Sequence, residues 1–314
     1  MKYSIGLDMG GTTTKIGLFT AEGQMLEEAE IPTRSAMGRE TLFQDMADAV
    51  TALCGKCGIP LAECCVGMGV AGPVEENGYV ERLVNLNQYD LYPGHELSQR
   101  LNGIPVAVSN DANVAALGEM WQGGGKGSSN MVLVTLGTGV GGGVIVEGKL
   151  LTGIHGSGGE IGHLKINPDE STACGCGKHG CLEQYVSATG IVNQAKRFLA
   201  DCDTPSAMRN LNPLTAKDVM DLAKNGDAVA LRVAEAFGEI LGRALAIVSC
   251  VCDPEVFVLG GGVSKAGTYL IDLVQPSFVK HAFPATEPTR FGLAILGNDA
   301  GIYGAAKLIL DSKM

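Results

Sequence analysis

A strand–glycine turn–strand pattern occurs twice, and this repetition constrains the fold more than any other feature of the chain. Lys2 to Leu7 reads as a strand, breaks at Asp8-Met9-Gly10-Gly11-Thr12-Thr13-Thr14-Lys15, and resumes from Ile16 to Phe19. Met131 to Leu136 repeats the pattern, with Gly137-Thr138-Gly139-Val140-Gly141-Gly142-Gly143 as the turn and Val144 to Val146 as the returning strand. Strands joined through such turns form hairpins. Each hairpin opens about half of the 314 residues, so the expected architecture is a duplicated α/β fold, two domains with a central cleft.

The segments between fit that plan. Leu42, Phe43, Met46, Val50 and Leu53 recur at three- and four-residue spacing, which predicts an amphipathic helix from Thr41 to Cys54. Val66 to Val70 is a short buried strand running into Ala71-Gly72-Pro73. Val106 to Val108 is another, followed by Asn110-Asp111-Ala112-Asn113 and a helix towards Trp121. Gly123 to Ser129 reads as a turn or hinge. Further helices are expected near 186–199 and 229–252, then the strand Val256 to Leu259 and the turn Gly260-Gly261-Gly262. A last strand ends at Leu296, before a final helix at about 299–310.

Composition narrows the function classes. With 46% hydrophobic and 18% charged residues the chain is globular, and a net charge of −11 argues against nucleic-acid binding, which needs concentrated Lys and Arg. The most apolar helical stretch, Ile240 to Cys252, carries Arg243 and is too short to span a bilayer. The first eight residues place a carboxylate and a glycine where a signal peptide needs an apolar run. Ten cysteines then read as thiols or metal ligands in a reducing cytoplasm.

Glycine is the outlier, at 45 residues. Backbone N–H groups exposed in a glycine-rich turn form a concave anion site, and threonine hydroxyls add donors. Gly10, Gly11, Thr12 and Thr13 in the first turn, and Gly137, Thr138 and Gly139 in the second, are therefore candidate phosphate-binding groups. Either turn alone is equally well read as ordinary hairpin chemistry; two in matching contexts are not. Asp8, at the end of the first strand, could hold the Mg²⁺ that a polyphosphate donor requires. A Walker A loop is excluded because Gly125-Lys126 is followed by Gly127. Gly137, Gly139 and Gly142 match the spacing of a dinucleotide fingerprint, with Glu160 at about the right distance. That motif must open a helix, whereas Val144 to Val146 continues as strand, so an oxidoreductase is the distant alternative.

His163, Cys174, Cys176 and Cys181 lie within 19 residues and compose a closed tetrahedral Zn²⁺ set, with His179 as a competing fourth ligand. The other cysteines are expected to be small buried hydrophobes. A metal clamping His163 and Cys181 would bring Glu160 and Glu183 to one place, where two carboxylates beside an imidazole suit a ligand with several hydroxyls. Asp111 has two readings, a helix N-cap residue or a general base acting on a hydroxyl.

Together these residues resemble the ROK family of sugar kinases, within the actin-like (ribonuclease-H-like) ATPase superfamily, over nearly the whole chain. The most specific parts are Gly159-Glu160-Ile161-Gly162-His163 and Cys174-x-Cys176-Gly177-x-x-Gly180-Cys181-x-Glu183. Ala116-Leu117-Gly118-Glu119-Met120-Trp121 and Leu296-Gly297-Asn298-Asp299-Ala300-Gly301 resemble bacterial glucokinases of the Gram-positive type within that family. The resemblance implies an ATP-dependent kinase acting on the 6-hydroxyl of glucose, with Asp111 as base. It implies that Asn110, Glu160, His163, Glu183 and the Gly72 backbone hold the other hydroxyls. His163, Cys174, Cys176 and Cys181 then bind structural zinc, which decides against His179, and Gly261 and Gly262 lie on the nucleotide side. A small domain of about 1–112, completed by 297–314, and a larger one of 113–296 carrying the zinc loop and the surface of a homodimer or higher homo-oligomer are implied. Asn85 to Tyr92 is the stretch expected to set sugar selectivity, with mannose, allose and N-acetylmannosamine as alternative hexoses. A non-catalytic sugar sensor is the alternative from another class; its DNA-binding module would precede the first turn, which here begins by residue 8.

Overall fold

The computed structural model describes residues 2–83 and 86–312, so the segment Asn85 to Tyr92 begins outside the described residues. The chain divides into two compact units. The first comprises Met1–Ser129, Gly143–Gly159 and Ile295–Met314; the second comprises Asn130–Gly142 and Glu160–Ala294.

The first unit opens with β1 (Tyr3–Met9), β2 (Thr13–Thr20) and β3 (Met25–Pro32), an antiparallel meander. Helix α1 (Arg39–Lys56) leads to β4 (Cys64–Val70), and the hairpin β5 (Val80–Leu83)–β6 (Gln88–Leu91) precedes α2 (Pro93–Arg100). Then come β7 (Val106–Asn110) and α3 (Asp111–Gln122). The sheet order is β3-β2-β1-β4-β7, with β4 parallel to β1 and β7 parallel to β4. All seven residues of β4 are buried, as a central parallel strand covered on both faces requires. The edge strand β3 has no counterpart in the sequence reading, because its three glutamates mask the alternation that buries one face partially.

The two faces of β1 and β4 differ in kind. Ile5, Leu7, Val66 and Met68 pack in one core with Leu42, Phe43 and Met46 of α1. Gly6 and Gly67, register partners, point the other way, where the last helix, residues 300–311, lies against the strands. A Cβ on Gly6 would sit 1.8 Å from the Ile302 carbonyl oxygen, and one on Gly67 1.7 Å from that of Ala305. Glycine here permits close helix–sheet approach.

The second pattern follows with β8 (Met131–Leu136), β9 (Val140–Val146) and β10 (Lys149–Leu150). The unit boundary falls inside β9. This strand starts four residues earlier than the sequence suggests, its glycines included: a Cβ on Gly143 would stand 2.4 Å from Cβ of Ala116 in α3, so glycine marks close packing rather than a turn. The second unit continues with α4 (Glu183–Val186), α5 (Ala188–Ala200), α6 (Ala216–Lys224) and α7 (Ala228–Cys252). It closes with β11 (Val256–Gly260), α8 (Thr268–His281) and β12 (Arg290–Leu293). β8, β11 and β12 are parallel, and the strand order β10-β9-β8-β11-β12 reproduces that of the first sheet. The expected duplication is thus present strand for strand. Helix α7 starts on the Asp227 side chain, which accepts from the N–H groups of Val229 and Ala230.

The final helix is α9 (Ala300–Asp311). The preceding strand stops at Leu293, three residues short of expectation, because the Ile295 and Leu296 N–H groups turn to the Glu119 carboxylate. The first unit extends past residue 112 because α3 packs along α9: a Cβ on Gly304 would lie 1.5 Å from the Val114 carbonyl oxygen. Of the cysteines expected to be buried, Cys54, Cys64 and Cys65 are, Cys57, Cys202 and Cys252 are partly buried, and Cys250 is exposed on the outer face of α7.

Candidate active site

In the first unit the functional candidates gather at the carboxyl ends of β1, β4 and β7. Asp8 is opposite Lys15 across the β1–β2 hairpin, and the Lys15 ammonium donates to Asp299 at 2.9 Å. Gly301 leaves room for the Asp8 carboxyl group; a Cβ there would lie 2.3 Å from Oδ2. Burial, with the nearby charge of Asp111 adding to it and Lys15 opposing it, pushes the Asp8 carboxyl up to about 6. The intervening turn is closed by Gly10 N–H donating to the Thr13 carbonyl at 3.0 Å, leaving Gly11, Thr12 and Thr13 exposed.

Asn110 and Asp111 divide the helix-start roles that the sequence left open. Asn110 is the N-cap of α3: its Oδ1 accepts from Ala112 N–H at 2.9 Å and Asn113 N–H at 3.4 Å. Its Nδ2 donates to the Gly72 carbonyl at 3.3 Å, so these two predicted residues meet. Asp111 Oδ1 shares the Ala112 N–H at 2.8 Å. Its carboxyl group is open to water on one side and walled by protein elsewhere; this dehydration raises its proton affinity against the lowering effect of Ala112 N–H and the Asn110 side chain. Two neighbouring carboxylates with raised affinity form a pair suited to proton transfer and cation binding.

In the second unit the chain from Glu160 to Glu183 folds into a knuckle. The ligand atoms of His163, Cys174, Cys176 and Cys181 all lie within 4.8 Å of one another, the single such cluster found among the described residues. Cys174 Sγ is 3.8 Å from His163 Nδ1, and Cys176 Sγ is 3.7 Å from Cys181 Sγ. A tetrahedron with metal–sulfur arms of about 2.3 Å has edges of about 3.8 Å, so the donor set fits a tetrahedral thiophilic ion. Gly180 allows the fold-back: it has φ of 73°, and a Cβ there would sit 1.7 Å from the Asn167 carbonyl oxygen. His179 stays outside the set, with its Nδ1 buried and unpartnered.

His163 has Glu160 Oε2 3.9 Å from its Nε2 and Glu183 Oε1 4.0 Å from its Nδ1. Glu183 also reaches the second glycine turn, where its Oε2 accepts from Val140 N–H at 3.3 Å and lies 2.6 Å from where a Cβ on Gly139 would be. This link was not legible in sequence, because the partners are more than forty residues apart. Gly137 N–H donates to the Gly139 carbonyl, and Thr138 accepts from Thr189 Oγ at 3.1 Å, so the turn is tied to the start of α5. Beside it lies a cavity of about 240 Å³ lined by Ala188, Met220, Gly262, Val263 and Lys265. Gly261, with φ of 81°, makes the bend that brings Gly262 there. Of these walls Gly262 and Val263 belong to the glycine turn seen in sequence; Thr215-x-x-Asp218, the capping box that starts α6, was the available signal for the helix that carries Met220.

The ROK family model matches residues 4–312. A glucokinase of Halalkalibacterium halodurans is 39% identical over 314 residues, covering 98% of this chain and 95% of that protein. Among solved structures, a ROK family glucokinase from Streptomyces griseus in complex with glucose and AMPPNP shares 32% identity and a TM-score of 0.76, over 98% of both chains. A ROK hexokinase from Thermus thermophilus shares 30% identity and a TM-score of 0.82, over 99% of both. The repeated sheet order and these likenesses identify the fold as the duplicated actin-like, ribonuclease-H-like ATPase fold. With a family match across almost every residue and such identity at full coverage, the chain belongs to the ROK family.

Proposed function

We propose that the protein transfers the γ-phosphoryl group of ATP to the 6-hydroxyl of glucose. The observation that carries the reading is Asp111, a carboxylate of raised proton affinity at the carboxyl end of β7, beside Asn110 and Gly72. Full-length similarity to glucokinases, one solved with glucose and AMPPNP, supports it. Asp111 accepts the hydroxyl proton as that oxygen attacks the γ-phosphorus; the bond to the β,γ-bridging oxygen breaks and ADP departs. Asn110 and the Gly72 backbone are read as sugar-hydroxyl partners, as are Glu160, His163 and Glu183; the carboxylates accept O–H donors, and the His163 ring, with one nitrogen on zinc, would donate N–H from the other.

The turns at Gly10–Thr13 and Gly137–Gly139 offer N–H and hydroxyl donors to phosphates, and the cavity at Gly262 takes the nucleoside. Mg²⁺ carried by ATP would be held at Asp8 and would offset phosphate charge. Zn²⁺ would be held by His163, Cys174, Cys176 and Cys181 as a structural ion that orients the His163 ring. A homodimer is part of this reading, supported by the exposed Ile247 and Val251 (81%) on α7 and Phe283 (61%) after α8; sedimentation of the native protein as a monomer at micromolar concentration would remove it.

Incubation with ATP, Mg²⁺ and a hexose panel, with ADP and sugar 6-phosphate as readouts, tests the reaction. Glucose is expected to give the highest kcat/KM. Similarity to a protein named hexokinase favours, as second reading, a broader hexose range, which equal rates on mannose would establish. Sugar binding without ADP release would instead identify a sensor. Asp111→Ala is expected to lower kcat by about a thousandfold, in line with general base catalysis, while glucose binding measured by calorimetry survives.

A further inference from the structure

Glu119 lies near the end of α3 with 1% of its surface exposed, and among the described residues no basic side chain forms an ion pair with it. Backbone groups alone satisfy its carboxylate. Oε2 accepts from Gly124 N–H at 2.7 Å and Ile295 N–H at 3.1 Å, and Oε1 from Leu296 N–H at 2.9 Å. A negative charge in the last turn of a helix opposes the helix dipole, and dehydrating it costs more. Three charge-assisted hydrogen bonds offset both. Gly123 is shaped to the same group, since a Cβ there would lie 2.0 Å from Oε2.

What the carboxylate holds leads to the phosphate end of the first unit. Leu296 precedes the turn Gly297–Asp299 that starts α9. Asp299 accepts from Lys15 at 2.9 Å, and Gly301 is seated on the Asp8 carboxyl. Gly118, beside Glu119, lets Ala300 approach: a Cβ would be 2.2 Å from the Ala300 carbonyl oxygen. The motifs Ala116–Trp121 and Leu296–Gly301, joined in the sequence only by likeness, are thus one physical device.

We propose that Glu119 is a positioning residue for the phosphate-binding end of the site: by holding Ile295 and Leu296 it sets Asp299 against Lys15 and Gly301 against Asp8. This rests on the reading of Asp8 and its turn as the phosphate-holding group. Glu119→Gln replaces an acceptor by an NH₂ donor facing N–H donors, and Glu119→Asp keeps the charge but shortens its reach.

The test combines hydrogen exchange with steady-state kinetics on the full chain. In Glu119→Gln, exchange over 123–129 and 293–299 is expected to accelerate about tenfold or more, for the loss of one or two charge-assisted bonds. KM for ATP rises about tenfold, while the glucose dissociation constant, measured by calorimetry without ATP, stays within about twofold. Combining Glu119→Gln with Asp299→Asn costs less than the product of the two single effects, because both act through one segment. Glu119→Asp follows the same pattern with smaller changes and serves if Glu119→Gln does not fold. Equal weakening of glucose and ATP, or multiplicative effects in the double variant, would overturn the proposal. Wild-type protein without turnover refutes the kinase reading and the phosphate role with it; active wild type with an unchanged KM for ATP in Glu119→Gln refutes the role of Glu119 alone.

Discussion

Replacing Asp8 by Asn is expected to stabilise the free protein at neutral pH, although it removes a residue assigned to the reaction. Burial and the neighbouring Asp111 lift the Asp8 carboxyl from its ordinary value of 3.8 to about 6. Between those values the folded state binds more protons than the unfolded state, so stability falls as pH rises through this window. Below pH 3.8 Asp8 costs nothing; above about 6 its ionisation costs at most about 3 kcal/mol, at about 1.4 kcal/mol per tenfold change in proton affinity. Asn has nearly the same shape and carries no charge. Urea unfolding of wild type and Asp8→Asn at pH 4 and pH 7.5, without nucleotide or Mg²⁺, should give near-equal stabilities at the lower pH. At the higher pH the variant should be more stable by about 1 to 3 kcal/mol, or several degrees in Tm. Mg²⁺ with ATP should then raise the Tm of wild type more than that of the variant, because a cation relieves the ionised carboxylate. A stability difference that does not change between pH 4 and 7.5 would refute the claim that Asp8 is held ionised against its surroundings.

Other expectations follow from packing and from the knuckle. Gly67→Ala should destabilise by about 3 kcal/mol or more, because its Cβ would meet a backbone carbonyl of α9 at 1.7 Å and backbone cannot step aside. Gly55→Ala, in α1 with nothing within 4 Å of its Cβ, should instead stabilise by about 0.5 to 1 kcal/mol, and chemical unfolding of the pair checks both signs. Cys176→Ser should lower bound zinc from one per chain to well below stoichiometric and reduce Tm. Full metal content after dialysis against a chelator, or a wild type active and metal-free, would contradict the structural assignment.

The repeated hairpins, the helix α1 and the His/Cys cluster were legible in the sequence because each rests on local chemistry. Alternating or helical apolar spacing, a glycine turn between strands, and soft ligands within one short loop need no knowledge of distant partners. The paired readings of Asp111 persisted for the opposite reason: only the tertiary structure reveals that Asn110 takes the capping role, that burial raises the proton affinity of Asp111, and that Asp111 in turn raises that of Asp8. Edge strand β3 and the cavity beside the Gly262 turn were missed because glutamate-rich alternation and walls drawn from α5, α6 and that turn carry no contiguous signal.

By itself, then, the order of residues determined the two glycine-turned hairpins, the helices with clear apolar spacing, that the plan is doubled, and which side chains could grip a metal or a phosphate. Tertiary structure decided what those groups are. Gly6, Gly67 and Gly304, unremarkable as letters, exist to let α9 touch two strands and a helix. Glu119 is an ordinary helix residue until the chain returns 176 positions later to give it N–H donors. Proton affinity, close packing and satisfied burial depend on neighbours brought together across the whole chain, and that information is absent from any local stretch.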